Sequence, residues 1–161
     1  MGTVKYEVTV ITGDIKKAGT DANVHITIFG THGDTGKRPL TQKFRDLFER
    51  NQKDVFVLEA IDLGKFMTIS SHTACLLHAR SDVTVYLLNV VLAVTGLITC
   101  TGELSKIVIE HDNKGFGADW YLERVEILNQ GTNRKWEFPC GQWLAKGKGD
   151  GQLSRELYAR E

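Results

Sequence analysis

A period of two is the strongest constraint this chain places on its own fold. From 24 to 29, Val24, Ile26 and Ile28 alternate with His25, Thr27 and Phe29, the pattern of a strand buried on one face. The same alternation sets Tyr6, Val8 and Val10 against Lys5, Glu7 and Thr9. Further strands are expected at 105–110, 120–128 and 135–138. Another at 54–59 carries hydrophobics on both faces, and Trp143-Leu144 reads as a final edge plug. Turn formers punctuate them at Thr12-Gly13-Asp14, at 111–115 and at 129–133. The Gly-rich run 31–39 reads as a flexible hairpin tip, and 40–50, which holds Phe44, Leu47 and Phe48, as a short helical turn or, better, a loop that staples its aromatics onto a core. Short strands, frequent turns and little helix predict an all-β, antiparallel sandwich.

The 161 residues suit one domain with an additional piece. A formal net charge of zero gives no bulk attraction to nucleic acid, so no nucleic-acid partner is expected. Three cysteines, Cys75, Cys100 and Cys140, form no close pair and suggest free thiols in a reducing compartment. No apolar signal-peptide core follows Met1, so the chain reads as intracellular.

Residues 65–102 break the pattern. Only Lys65, Arg80 and Asp82 are charged there, and Val83 to Thr101 carries no charge at all. At about 19 residues that run is long enough to cross a bilayer as a helix. It also reads as two more strands, or as an insertion into a complete domain. A single span would put strands that share one core on opposite sides of a membrane, which argues against the first reading. Removing 65–102 joins Leu63-Gly64 to Glu103-Leu104 in a clean turn-to-strand passage. The expected organisation is therefore a sandwich over 1–145, interrupted by an apolar, splice-derived or retained insert at 65–102, with a loose Gly- and Lys-rich tail at 146–161.

No catalytic constellation emerges. His25, His32, His72, His78 and His111 are scattered without zinc-ligand spacing. Ser70-Ser71-His72 lacks a third partner, and Gly33 to Lys37 lacks the spacing of a phosphate loop. The oxygen-rich turn Gly19-Thr20-Asp21-Ala22-Asn23 either turns the chain or holds a hard cation.

An ordered set of motifs adds a resemblance. It comprises Tyr6-Glu7-Val8-Thr9-Val10, Gly19 to Val24, Gly33-Asp34-Thr35-Gly36, Phe48-Glu49-Arg50, Leu63-Gly64, His111 to Gly115, Asp119-Trp120-Tyr121-Leu122 and Trp136 to Cys140 with Trp143-Leu144. In that order they resemble a PLAT domain, the lipoxygenase-homology β-sandwich. More narrowly, the chain is similar to one repeat of the multi-PLAT proteins of inner-ear hair cells. The resemblance covers nearly everything except 65–102. It implies two four-stranded sheets and a non-catalytic module that docks onto membrane lipids or membrane proteins, in several members with calcium. It also implies a cytoplasmic, membrane-associated, stereociliary setting.

For calcium, the resemblance implies Gly19 and Thr20 as carbonyl ligands and Asp21 as a carboxylate ligand. It adds Asp46 and Glu49 around the Phe-Glu-Arg motif, and Asp119 as a substitute where Ala118 holds the ligand position. Asn23, Asp112 and Asn113 are weaker additional donors. Leu47 replaces a family carboxylate, so a weak site is expected. The same oxygens also read as turn formers making Asx-type hydrogen bonds. Relatives dock on membranes with loop-tip aromatics, and Phe116 is the tip candidate here. Lys16, Lys17 and Lys114 are the candidates for anionic headgroups, each adding up to about 1 kcal/mol near a charged surface. Solvated surface lysines are the alternative. The alternative function is a structural protein–protein interaction repeat without metal or lipid.

Overall fold

The computed structural model describes residues 3–63 and 103–160. They belong to one compact unit made of 1–64 and 103–161. The segment read as an insert, 65–102, lies outside the described residues, as does its uncharged run 83–101. Among the described residues, no helix is long and apolar enough to cross a membrane.

Nine strands follow one another among the described residues: β1 Thr3–Thr12, β2 Val24–Gly30, β3 Gly33–Asp34, β4 Arg38–Pro39, β5 Lys53–Ile61, β6 Leu104–His111, β7 Trp120–Asn129, β8 Arg134–Leu144 and β9 Ser154–Tyr158. One sheet has four strands in the order β5-β1-β7-β8. The other has five, with β3-β2-β6-β9 in line and β4 also pairing β2. All the pairings are antiparallel.

The expected count of four strands in each sheet is corrected in the second sheet. The run 31–39 folds back along β2 as two short pieces, not as a free hairpin tip. The Thr35 hydroxyl accepts from Ile28 N at 3.0 Å, and Thr35 N donates to the Ile28 carbonyl at 3.0 Å. Buried Thr35 thus carries the ladder across the gap between β3 and β4.

The loose tail expected at 146–161 is corrected too. It contains β9, which pairs with β6 from Lys106↔Tyr158 to Glu110↔Ser154 and buries Leu157. One buried leucine in a Gly- and Lys-rich segment is a faint signal. The strand exists because β6 offers an open edge, and a backbone ladder needs no apolar side chains.

The alternating segments place their apolar faces inward as expected. Tyr6, Val8, Val10, Val24, Ile26, Ile28, Ile107, Ile109, Val125, Ile127 and Phe138 fill the space between the sheets. Burying each such side chain contributes roughly 1.5–3 kcal/mol before the entropy of ordering it is subtracted. The β7–β8 turn forms because Asn129 Oδ1 accepts from Gly131 N at 2.8 Å and Thr132 N at 3.1 Å. Asn133 takes the positive φ, 57°, that closes it.

Register gathers four loops at one end. Ile11 pairs Lys53, Val24 pairs His111, and Trp120 pairs Leu144. The connections 13–23, 40–52, 112–119 and 145–153 therefore leave the sandwich on the same side.

Candidate functional site

The 40–52 loop is tied down by a buried carboxylate. Asp54 Oδ2 accepts from Phe48 N at 2.7 Å, and Oδ1 accepts from Gln52 Nε2 at 2.7 Å. Phe48 then stacks on Phe56 with centroids 5.8 Å apart and meets Trp120 edge-on at 5.3 Å. The expected stapling holds for Phe48, and Leu47 packs partly buried against the core. It fails for Phe44, which is 103% exposed with φ at 60°. Phe48 takes the same left-handed backbone, φ 61°, so what separates the two rings is not the backbone angle but the Asp54 grip on Phe48.

The 13–23 loop is clamped between its neighbours. Thr20 Oγ1 donates to the Ala118 carbonyl at 3.0 Å and accepts from Ala22 N at 3.1 Å. Thr20 N donates to the Phe48 carbonyl at 3.2 Å, and Tyr121 N donates to the Ala18 carbonyl at 2.9 Å. A side chain at Gly19 would be crowded: a Cβ there would lie 3.1 Å from the Phe48 carbonyl oxygen and 3.2 Å from Arg50 N, so the neighbouring backbone would have to give. The Gly19-Thr20 pair is thus explained by close backbone approach and by a shared hydroxyl.

These contacts leave an open cleft of about 650 Å³, lined by Lys17, Gly19, Thr20, Asp21, Glu49, Arg50, Phe116, Gly117, Asp119 and Lys148. Five of the six principal calcium candidates, Gly19, Thr20, Asp21, Glu49 and Asp119, are brought together there. Asp46 is not among the lining residues; its carbonyl accepts from Gln52 Nε2 at 2.8 Å within its own loop.

The weaker candidates serve another purpose. Asp112 Oδ2 accepts from Asn23 Nδ2 at 2.7 Å, and its Oδ1 accepts from Asn23 N at 3.1 Å and Lys114 N at 3.0 Å. The Asn23 side chain, then the Lys114 and Asn23 amides and the Lys114 ammonium, hold the Asp112 carboxyl down at about 2. Asn113 N donates to His111 Nδ1 at 3.3 Å. This group stitches the start of β2 to the end of β6, as the Asx-type alternative has it.

The basic candidates divide as well. Lys17 lines the cleft, and Lys16 is exposed on the same loop. Lys114 pairs with Asp112 at 3.7 Å. Phe116 stands 96% exposed at the rim.

Sequence reasoning missed Phe44 and Lys148. Phe44 has a weak signal, a lone aromatic between Lys43 and Arg45. Lys148 has none, because it lies in the segment read as a tail. Its Nζ sits 3.3 Å from Asp119 Oδ2 and 3.7 Å from the Trp143 ring centroid.

The side chains of the cleft do not by themselves make up a calcium site. The ion takes six to eight oxygens. Gly19 and Thr20 would offer backbone carbonyls, which the Thr20 hydroxyl bonds leave untouched, and of the cleft's carboxylates Asp119 is paired with the Lys148 ammonium. Among the described residues, no three His, Cys, Asp or Glu side chains group closely enough to hold a metal ion.

Comparison with known proteins agrees with this architecture. The chain is 41% identical over 155 residues to the mouse lipoxygenase homology domain-containing protein 1, covering 96% of this chain and 6% of that protein. It is 29% identical over 150 residues to human polycystin-1-like protein 3, covering 93% of this chain and 6% of that one. The chain thus spans only about one-sixteenth of these relatives. Among solved structures, coral 8R-lipoxygenase, described in terms of calcium activation via a C2-like domain, aligns with a TM-score of 0.66 at 24% identity. That alignment covers 98% of this chain and 17% of the lipoxygenase, and it speaks for the fold. The PLAT/LH2 domain profile matches residues 6–157, and with a sandwich whose loops converge on one cleft, the chain belongs to the PLAT/LH2 family.

Proposed function

We propose that this domain is a non-catalytic docking module that uses its loop end to bind anionic membrane lipids or the membrane proteins among them. The observation that carries the reading is the pair of fully exposed phenylalanines, Phe44 and Phe116, on two loops that leave the sandwich at the same end. Lys43 and Arg45 flank the first, and Lys114 lies two residues before the second. Aromatic rings among cations suit an interface where apolar groups enter the acyl boundary and ammonium groups meet phosphate. The proposed setting is cytoplasmic and membrane-associated, with stereocilia suggested by the resemblance to hair-cell repeats. Calcium enters as a variable of the test and not as a resident ligand, because only Asp21, Glu49 and Asp119 offer carboxylates to the cleft.

Co-sedimentation with phosphatidylserine-containing vesicles, in calcium and in chelator, tests the reading. Binding that falls in the Phe44→Ser/Phe116→Ser variant supports it. Failure to bind anionic vesicles in either condition removes the lipid version.

One observation favours a protein–protein repeat as the second reading. Val55, Val57 and Ile61 stand 41%, 54% and 43% exposed on β5, one of the two edge strands of its sheet. Such an apolar edge suits a protein partner. A module of that kind stays in the supernatant with vesicles of every composition.

A further inference from the structure

The 145–153 loop crosses from β8 in one sheet to β9 in the other, over the end that holds the cleft. Its shape is set by its own bonds. Ala145 N donates to the Gln152 carbonyl at 3.0 Å, and Gly151 N donates to the Lys148 carbonyl at 3.2 Å. Arg155 Nη2 reaches both the Trp143 carbonyl at 2.9 Å and Asp150 Oδ1 at 2.7 Å. Thus anchored, the loop lays Lys148 across the Trp143 face and against Asp119.

The other charged groups lining the cleft are Lys17, Asp21, Glu49 and Arg50. Arg50 is committed to Asp14, 2.6 Å away. Lys148 is the one cation whose ion pair lies with a carboxylate of the cleft itself, among the pairings described.

We propose that Lys148 is the cleft's own counter-ion, a tethered ammonium that takes the role a bound divalent cation would otherwise have. It neutralises Asp119 and holds the 112–119 and 145–153 loops together without any dissolved metal. The trait was invisible in the ligand motifs because Lys148 belongs to none of them. It comes from a loop near the far end of the chain. The consequence is that loop closure in this domain does not respond to calcium. The inference concerns the cleft's charge and holds whether lipid or protein docks beside it.

The test is calcium binding by calorimetry and thermal unfolding, in calcium and in chelator, on the full chain and its variants. Wild type and Lys148→Arg are expected to show no calcium-dependent shift in unfolding temperature. Lys148→Met leaves Asp119 uncompensated and is expected to gain at least tenfold in calcium affinity, with a calcium-dependent rise in unfolding temperature. Adding Asp119→Asn to Lys148→Met should abolish that gain. Lys148→Gln, which keeps a polar side chain on the exposed loop, serves if the methionine variant folds poorly. Equal calcium responses in wild type and in the neutral variant overturn the proposal, whether both bind or neither does.

Discussion

Trp120 Nε1 donates to the Thr12 hydroxyl at 3.0 Å inside the core, across 108 positions of sequence. Trp120 is completely buried and Thr12 is 1% exposed, so no water can replace either partner. Thr12→Val keeps the shape and orphans the indole donor. The expected loss is roughly 1–3 kcal/mol. Urea unfolding followed by tryptophan fluorescence measures it. Thr12→Ser, which keeps the acceptor, should recover most of the difference.

Phe44 carries a backbone conformation that glycine adopts more easily. Phe44→Gly removes a ring that touches no core residue and relieves the left-handed strain, against a larger entropy cost on folding. Stability should hold or rise by up to roughly 1 kcal/mol. Vesicle binding should fall in the same variant. A drop in stability of the size seen for core truncations would show that Phe44 packs after all.

Gly30 closes β2 beside Leu63. A Cβ at this position would lie 2.5 Å from the Leu63 carbonyl oxygen and 2.8 Å from its Cβ. Because the nearest obstacle is backbone, Gly30→Ala should cost roughly 1–3 kcal/mol through overpacking. Chemical denaturation checks this, with Gly36→Ala as a comparison whose added methyl meets open space at a positive φ.

Acid should weaken the domain in two steps. Burial lowers the His111 pKa, while the Leu144 carbonyl, Asp112 and Asp119 partly oppose the shift. Its stabilising contribution is complete above the unfolded value near 6.5 and declines as pH falls through it toward the lower folded value. The Asp112 carboxyl, held at about 2 by Asn23 and Lys114, contributes fully above about 3.8 and loses that contribution as pH falls toward 2. Stability measured from pH 8 to pH 2 should show both declines. His111→Gln should flatten the first, and Asp112→Asn should shrink the second, to which Glu126, Asp150 and Glu156, also held low by their hydrogen-bond partners, contribute.

Much of the sandwich was legible because one buried face imposes alternation on each strand, as in β1 and β2. What escaped depended on partners far along the chain. Nothing in 154–158 announces a strand until β6 offers its edge. Phe44, between two cations, turns out, and Phe48, next to Leu47, turns in where the distant Asp54 grips its amide. Gly19, Thr20, Asp21, Glu49 and Asp119, far apart in sequence, line one cleft. Asp112 belongs to Asn23, 89 positions away, and Lys148 belongs to Asp119 across the β7–β8 hairpin; neither pairing has a local signature.

Leu63 is fixed from three directions: its N–H donates to the Tyr6 hydroxyl at 2.9 Å, and its carbonyl accepts from His32 N at 3.2 Å and Thr31 Oγ1 at 3.4 Å. Leu104, where the second half begins, pairs with Gly30, whose Cα faces that same carbonyl. Departure and return are therefore riveted to one corner of the sandwich, each by its own bonds. Because the entropy of closing a loop grows only with the logarithm of its length, such a corner works as a socket. A reporter or second domain grafted between Leu63 and Leu104 is therefore expected to add little closure cost as its length grows.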